Sequence, residues 1–170
     1  MSGFMTDDAR HLLGLRASTA TFEATDARGE DAQRCMNEYF AELDERFDGG
    51  FDPGDAHETD PPAFMPPGGL LLLVLNDGHA IGCGALQRID DGTAEVKRMW
   101  IDPRWRGVGL GRRLLDTLES HARRRGYRRC VLDTNATLIE AMAMYDSAGY
   151  LQTLRYNENP YAQRWFTKVL

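Results

Sequence analysis

The sequence predicts a layered α/β domain with a glycine-rich turn at the mouth of its central helix. Three observations carry that prediction. First, LLLLVL at 70–75, the turn NDGH and the segment AIGCGALQ read as a β-hairpin, with Asp77-Gly78 supplying the turn. Second, the strand-like AEVKRMWI leads through RWRGVGLGRR, Arg104 to Arg113, into a leucine-striped helix. Third, RRCVLDT, a helix over TLIEAMAMYDSAG, and the segments YLQTL and QRWFTKVL follow, giving an alternating order of strands and helices.

Taken in order, residues 1–18 give no clear periodicity and read as a loose N-terminal extension. TATFEAT suggests a first strand. Residues 29–47 suggest a helix with Ala32, Cys35, Met36, Tyr39, Phe40, Leu43 and Phe47 on one side. The stretch DGGFDPGDAHETDPPAFMPPGG, residues 48–69, holds five of the seven prolines and is expected to lack regular structure. Long irregular segments inside a compact domain tend to be binding loops. The run LLLLVL is too short to span a bilayer and reads as a buried strand. Strand AEVKRMWI is ended by Asp102-Pro103. The helix over about 109–125 carries Leu110, Leu114, Leu115, Leu118 and Ala122 as its apolar stripe, with Gly126 at a left-handed cap position. Thr137 and Glu140 have the spacing of a capping box that opens the next helix, which Gly149 closes.

Composition bounds the function classes. A chain of 170 residues is expected to form one domain, 1–170, large enough for a real core. The net charge of −6 argues against nucleic acid or an anionic membrane as partner. Cys35, Cys83 and Cys130 are an odd set without metal-like spacing, which points to reduced thiols. Asp7 and Asp8 replace any apolar signal core near the N-terminus, so a cytoplasmic location is expected. His57, Glu58 and Asp60 lack matching partners for a metal, and no metal is expected. RRRG at 123–126 reads as cations at the negative end of a helix dipole.

The glycine turn admits three readings. It can be a tight turn with no ligand. It can be a dinucleotide fingerprint, with Asp133 as the ribose-binding acid. That second reading fails in detail, because Arg112 stands where the third glycine belongs and Asp102 to Arg106 separate the strand from Gly107. The third is a pyrophosphate cradle built from the amides of Val108, Gly109, Leu110, Gly111 and Arg112 with arginine nearby. Unpaired N–H groups and the dipole at a helix start favour an anion, and the arginines favour this reading.

The segment EVKRMWIDPRWRGVGLGRRLLDTLE resembles the acyl-CoA-binding core of the GNAT superfamily of N-acetyltransferases. Arg104, Gly107 and Gly109 meet that family's Arg/Gln-x-x-Gly-x-Gly/Ala pattern. Downstream, LDTNATLIEAMAMYDSAGY resembles the closing strand–helix–strand segment, with Tyr145 four residues before Gly149-Tyr150. The tail YNENPYAQRWFTKVL is also similar to the ending of many members. The resemblance covers about residues 20–170. It implies a mixed, mostly antiparallel central sheet with a splayed strand pair and helices on both faces.

It further implies acetyl transfer from acetyl-CoA to a primary amine, carried by a small molecule or a peptide, by direct attack in a ternary complex. The pantetheine arm is expected along the main chain of Met99, Trp100 and Ile101. The pyrophosphate is expected on Arg106, Gly107, Val108, Gly109, Leu110, Gly111 and Arg112. Asn135 is expected either to touch the cofactor or to stabilise the turn before a helix. Glu95 stands where several members place a catalytic base, and strict alternation would put it on one face with Lys97, Met99 and Ile101. The alternative is a glutamate that is exposed or salt-bridged. Tyr145 matches the tyrosine that protonates the departing thiolate, and it also fits the buried helix stripe. The acceptor is not legible. Its specificity is expected in residues 48–69 and in the turn RYNENPYA at 155–162. A non-catalytic acyl-CoA-binding or regulatory domain is the rival class, and a homodimer is left open.

Overall fold

The computed structural model describes residues 5–170. The start of the expected loose extension, residues 1–4, lies outside the described residues. From residue 7 that expectation fails, because Asp7–Ser18 form helix α1. Thr6 caps it by accepting from the Ala9 amide at 3.2 Å, and Asp7 and Asp8 suit the positive helix end. Most of α1 is exposed, so no apolar stripe announces it. It is tied down through its C-terminal carbonyls instead. Asn76 Nδ2 donates to Arg16 O at 2.8 Å, and the Arg113 guanidinium donates to Ala17 O at 2.8 Å and Ala20 O at 3.0 Å.

Strands β1 (Thr21–Thr25), β2 (Leu70–Asn76), β3 (His79–Arg88), β4 (Thr93–Ile101), β5 (Arg129–Thr134), β6 (Leu151–Gln152) and β7 (Arg164–Val169) form one sheet. Its order is β1-β2-β3-β4-β5-β7-β6, and only β4 and β5 pair in parallel. Helices α2 (Glu30–Arg46) and α3 (Ala56–Ala63) cover one face, and α1 and α4 (Leu110–Arg124) cover the other. The side chains of β2 divide between them. Leu70, Leu72 and Val74 enter the α4-side core, while Leu71 and Leu73 enter the α2-side core. Burial on both faces is what makes LLLLVL continuously apolar. Helix α5 (Ile139–Ser147) adds Tyr145, followed by Ala148 and Tyr150, to the α4-side core. The mixed, mostly antiparallel sheet expected from the sequence is present.

The hairpin turn is as read, with Asp77 at φ 49° and Gly78 at φ 77°. Positive φ at both central residues matches the right-handed twist of the strands. Two local expectations fail. Residues 56–63 are helical despite Pro61 and Pro62. Both prolines lie near the end of this short helix, and the buried Asp60 between its turns is fixed by Arg98, whose Nε donates to Oδ2 at 2.6 Å. The capping box at Thr137 and Glu140 does not form, because α5 starts at Ile139 after Leu138 without a side-chain cap. Glu140 instead pairs with Arg46 of α2 at 3.1 Å. Cys35, Cys83 and Cys130 are free and fully buried.

Two features of β4 shape everything that follows. Its parallel pairing with β5 stops early: Thr93, Ala94 and Glu95 oppose Arg129, Cys130 and Val131, and no residue beyond them pairs. The strands therefore splay toward their C-terminal ends. Against β3, Cys83 opposes Trp100 while Ala85 opposes Lys97, so β4 carries one extra residue. This β-bulge holds Arg98 at φ 54°, a left-handed conformation in a residue other than glycine. Bulges of this kind re-aim the side chains that follow. Ala94 and Val96 pack on the α4 side, and beyond the bulge so do Met99 and Ile101, whereas Trp100 packs on the α2 side. The expectation that Glu95 shares a face with Met99 and Ile101 is overturned.

Candidate functional site

The splay opens two adjoining cavities. The larger, about 450 Å³, is bounded by Trp100, Ile101, Arg106, the glycine turn and the start of α4. The smaller, about 100 Å³, is bounded by Glu95, Lys97, Arg98, Asp133 and Asn135. Met99 and Tyr145 border both cavities, so they stand at the junction.

At the larger cavity, a short 3-10 turn over Pro103–Trp105 delivers the chain to Gly107 and Gly109, with φ of 79° and 85°. These angles require glycine, and a Cβ added at Gly109 would meet nothing within 4 Å. The space beside it is open to a ligand. The first internal bond of the helix is Arg113 N to Gly109 O at 3.1 Å. Among the described residues, the amides from Gly107 through Arg112 find no backbone acceptor. Unpaired donors on open glycine backbone at a positive helix end are an arrangement that favours an anion. Gly111 serves a different end, since its Cβ would press on Met144 Sδ at 3.3 Å where α4 meets α5.

The other expected cofactor-binding residues are placed unevenly. Leu110 contributes only its amide, because its side chain is buried in the core. Val108 packs partly against that core and does not border the cavity. Arg112 is held by Asp116 at 3.0 Å and by Ser147 O at 3.2 Å. Arg106 is committed to protein: its Nε donates to Ile101 O at 2.7 Å, and its two terminal nitrogens fork onto Glu42 at 2.9 and 2.6 Å. The amide of Asp102 bonds back to Ile81 O at 2.9 Å across β3. Strand alternation then turns the main-chain groups of Met99 and Ile101 to the unpaired edge. Arg106 already takes the Ile101 carbonyl, which leaves the Met99 main chain and the Ile101 amide on the unpaired edge.

Glu42 was not legible as a site residue. Besides Arg106, it accepts from Trp100 Nε1 at 2.9 Å and from Arg46 at 3.3 Å. Burial raises its carboxyl, but the Arg106 fork and the Trp100 and Arg46 bonds outweigh that and hold it below its ordinary range. Arg46 goes on to the Thr137 carbonyl and Glu140, joining α2 to the start of α5 beside the cavity.

At the smaller cavity, Glu95 is 3% exposed and makes no ion pair within 4.0 Å among the described residues, unlike the exposed or salt-bridged alternative. Its Oε1 accepts from Tyr156 Oη at 2.9 Å and from Asn157 Nδ2 at 3.3 Å. Burial pushes its carboxyl above the ordinary range, against partial relief from Lys97 and these donors. Asp133, read from sequence only as a rejected ribose ligand, faces the same space. It is held by the side-chain amides of Asn157 and Asn159. Asn135 favours the turn role: its Nδ2 donates to Tyr161 O at 2.9 Å and its Oδ1 accepts from Thr137 N at 3.0 Å. Phe47 and Phe51 from one side and Tyr161 from the other complete the wall, so both loops singled out for the acceptor reach this cavity.

Tyr145 is 7% exposed, with its ring 5.9 Å from Tyr150 and 6.0 Å from Phe166. The ring is core, yet the residue borders both cavities. Burial, with Tyr39 and Asp133 nearby, holds its hydroxyl above the usual tyrosine range, so it stays protonated at neutral pH. A buried proton donor thus lies between a cavity lined by free amides and a cavity lined by carboxylates.

Residues 31–150 match the acetyltransferase (GNAT) family model. An IAA acetyltransferase of Azospirillum brasilense is 33% identical over 128 residues, covering 74% of this chain and 83% of that protein. An uncharacterised N-acetyltransferase of Schizosaccharomyces pombe is 35% identical over 99 residues, 57% of this chain, and the match spans only 61% of that protein. A crystal structure described as an acyl-CoA N-acyltransferase from Klebsiella pneumoniae superposes with a TM-score of 0.74 at 25% identity, over 90% of this chain and 99% of the other.

Proposed function

Since the chain belongs to the GNAT acetyltransferase family and is an acyl-CoA-dependent N-acetyltransferase, we propose that it moves an acetyl group from acetyl-CoA to a primary amine within a ternary complex. One observation carries the proposal: the gap between β4 and β5 connects a cradle of free amides to a carboxylate-lined cavity, with Tyr145 between them. In this reading, the pyrophosphate rests on the amides from Gly107 to Arg112. The pantetheine arm runs along the open edge at Met99. Arg106 shapes that cleft through Glu42 and supplies field rather than a direct fork.

An alkylamine is mostly protonated near neutral pH and must lose a proton before it attacks. Glu95 takes that proton, directly or through one water. The freed nitrogen lone pair forms a bond to the acetyl carbonyl carbon. Collapse of the tetrahedral species breaks the carbon–sulfur bond, the departing thiolate takes the proton of Tyr145 Oη, and the positively charged nitrogen releases its second proton to water to leave the neutral amide. Bulk water can return that proton and accept the one held by Glu95. A small-molecule or peptide amine suits the cavity at the level of chemical class. The test is thiol release from acetyl-CoA across a panel of amines. Amine-dependent release supports the reading, and acetyl-CoA binding without turnover of any amine would refute it in favour of a binding domain.

A further inference from the structure

We propose that Tyr156 and Asn157, on the loop between β6 and β7, are positioning residues that set the orientation and charge of Glu95. The inference rests on Glu95 acting as the base. Nothing about residues 155–162 is regular structure, yet side chains of this loop close the bottom of the splay over contacts spanning 61 and 62 residues.

The orientation of the Asn157 amide follows from its partners. Its Oδ1 accepts from Trp165 Nε1 at 3.0 Å and from the Asn159 amide at 3.4 Å. Both are obligate donors, so the oxygen must face them and the Nδ2 group must face the carboxylates. One hydrogen goes to Glu95 Oε1 and the other to Asp133 Oδ2. Tyr156 adds a second donor to the same Glu95 oxygen. Burial and the adjacent Glu95 and Asp133 carboxylates hold the Tyr156 hydroxyl well above its usual range, so it donates throughout the working pH range.

Glu95 Oε1 is thereby saturated. Among the described residues Oε2 accepts no hydrogen bond, and it is not one of the side-chain atoms sealed from solvent without a partner. Since Glu95 borders the smaller cavity, Oε2 is the oxygen presented to a reactant. The two donors do two jobs. They lock the carboxylate plane so that one oxygen points into the cavity, and they stabilise the ionised form that burial disfavours. The remaining charged and titratable groups around this cavity are Lys97 on β4, Arg98 paired to Asp60 of α3, Asp133 on β5, Tyr39 on α2, Tyr145 on α5 and Tyr161 on the loop. Of these, Asp133 repels charge on Glu95 and Lys97 favours it.

The test is the pH dependence of kcat at saturating acetyl-CoA and amine for Tyr156→Phe and Asn157→Leu. Losing a donor to the charged form raises the pKa of the base, so the acid limb of the profile moves to higher pH. The expected shift is about one pH unit for each donor removed. The acetyl-CoA KM should stay unchanged, because neither residue borders the larger cavity. An acid limb that stays in place while activity or stability falls would overturn the inference and leave the loop a purely structural support. Asn157→Leu also strips Trp165 of its acceptor and risks misfolding. Tyr156→Phe loses one hydroxyl only and decides the matter alone. Glu95→Gln in parallel separates the two claims: if it retains wild-type kcat, the base is elsewhere and the underlying reading fails. If it loses kcat while neither loop variant moves the limb, only the positioning role fails.

Discussion

Replacing Gly109 by glutamate separates ligand binding from folding at a single atom position. Gly109 sits at φ 85°, where a residue with a Cβ pays about 1–2 kcal/mol. No heavy atom lies within 4 Å of the added Cβ, so no clash adds to that cost. For a domain of this size, each kcal/mol is worth about 2–4 °C in Tm, so the variant should melt about 2–8 °C below wild type. The new carboxylate stands at the end of α4 that attracts anions and competes for the donors proposed to hold the pyrophosphate. Acetyl-CoA at a hundred times its Kd should stabilise wild type by about 2.7 kcal/mol, or about 5–11 °C. In Gly109→Glu that increment should vanish, and NADH should give none in either protein. Gly109→Ala is the control, since it pays the same backbone cost without the charge and should keep a measurable shift. Differential scanning fluorimetry reads all of these. A shift of wild-type size in Gly109→Glu would refute the placement of the cradle.

Tyr145→Phe keeps the ring against Tyr150 and Phe166, so its Tm and its acetyl-CoA shift should persist while single-turnover acetylation falls about 10²–10⁴-fold; equal rates would make Tyr145 a packing residue. Glu95→Gln should lower kcat at neutral pH, with a deficit that shrinks as free amine becomes abundant at higher pH. Its stability carries an opposite sign. A folded-state carboxyl raised by burial costs nothing below the ordinary carboxylate range and costs progressively more as pH rises through the raised value. Glu95→Gln should therefore be at least as stable as wild type at pH 7, with the advantage gone near pH 4, and a variant less stable at pH 7 would contradict this. Asp60→Asn leaves the largely buried Arg98 guanidinium without its counter-charge and should cost about 3 kcal/mol in denaturant unfolding, whereas a loss under 1 kcal/mol would show the pair to be dispensable.

What was legible in the sequence was local. The hairpin at Asp77-Gly78, the stripe of α4 and the helix-closing glycines 126 and 149 each follow from a few adjacent residues whose backbone demands are specific. The failures share a different cause. The bulge at Arg98 has no glycine to announce it. Its arginine is fixed by Asp60 and by the Phe40 ring, with the guanidinium 5.1 Å from the ring centre, and both partners are distant in sequence. Helix α3 was hidden by its prolines because the compensating ion pair lies on β4. Helix α1 lacks an apolar stripe because its docking uses carbonyls. At the site, Glu95 and Tyr145 could be singled out by position in a motif. The roles of Glu42, Asp133, Tyr156 and Asn157 arise only when the splay and the 155–162 loop bring them together.

The three cysteines have a practical consequence for anyone measuring this protein. Each thiol is fully buried, and burial pushes Cys35 to about 11 and Cys130 to about 12, with Cys83 also well above its usual value. A thiol is attacked by disulfide dyes only as an accessible thiolate, so the native protein should be silent to such reagents. Any colour that develops during turnover then belongs to released coenzyme, without a blocking step or background subtraction. The same silence turns the cysteines into an internal clock. Cys35 and Cys83 belong to the α2-side core and Cys130 to the α4-side core. The order in which they label under mild denaturant would therefore report which layer of the domain opens first.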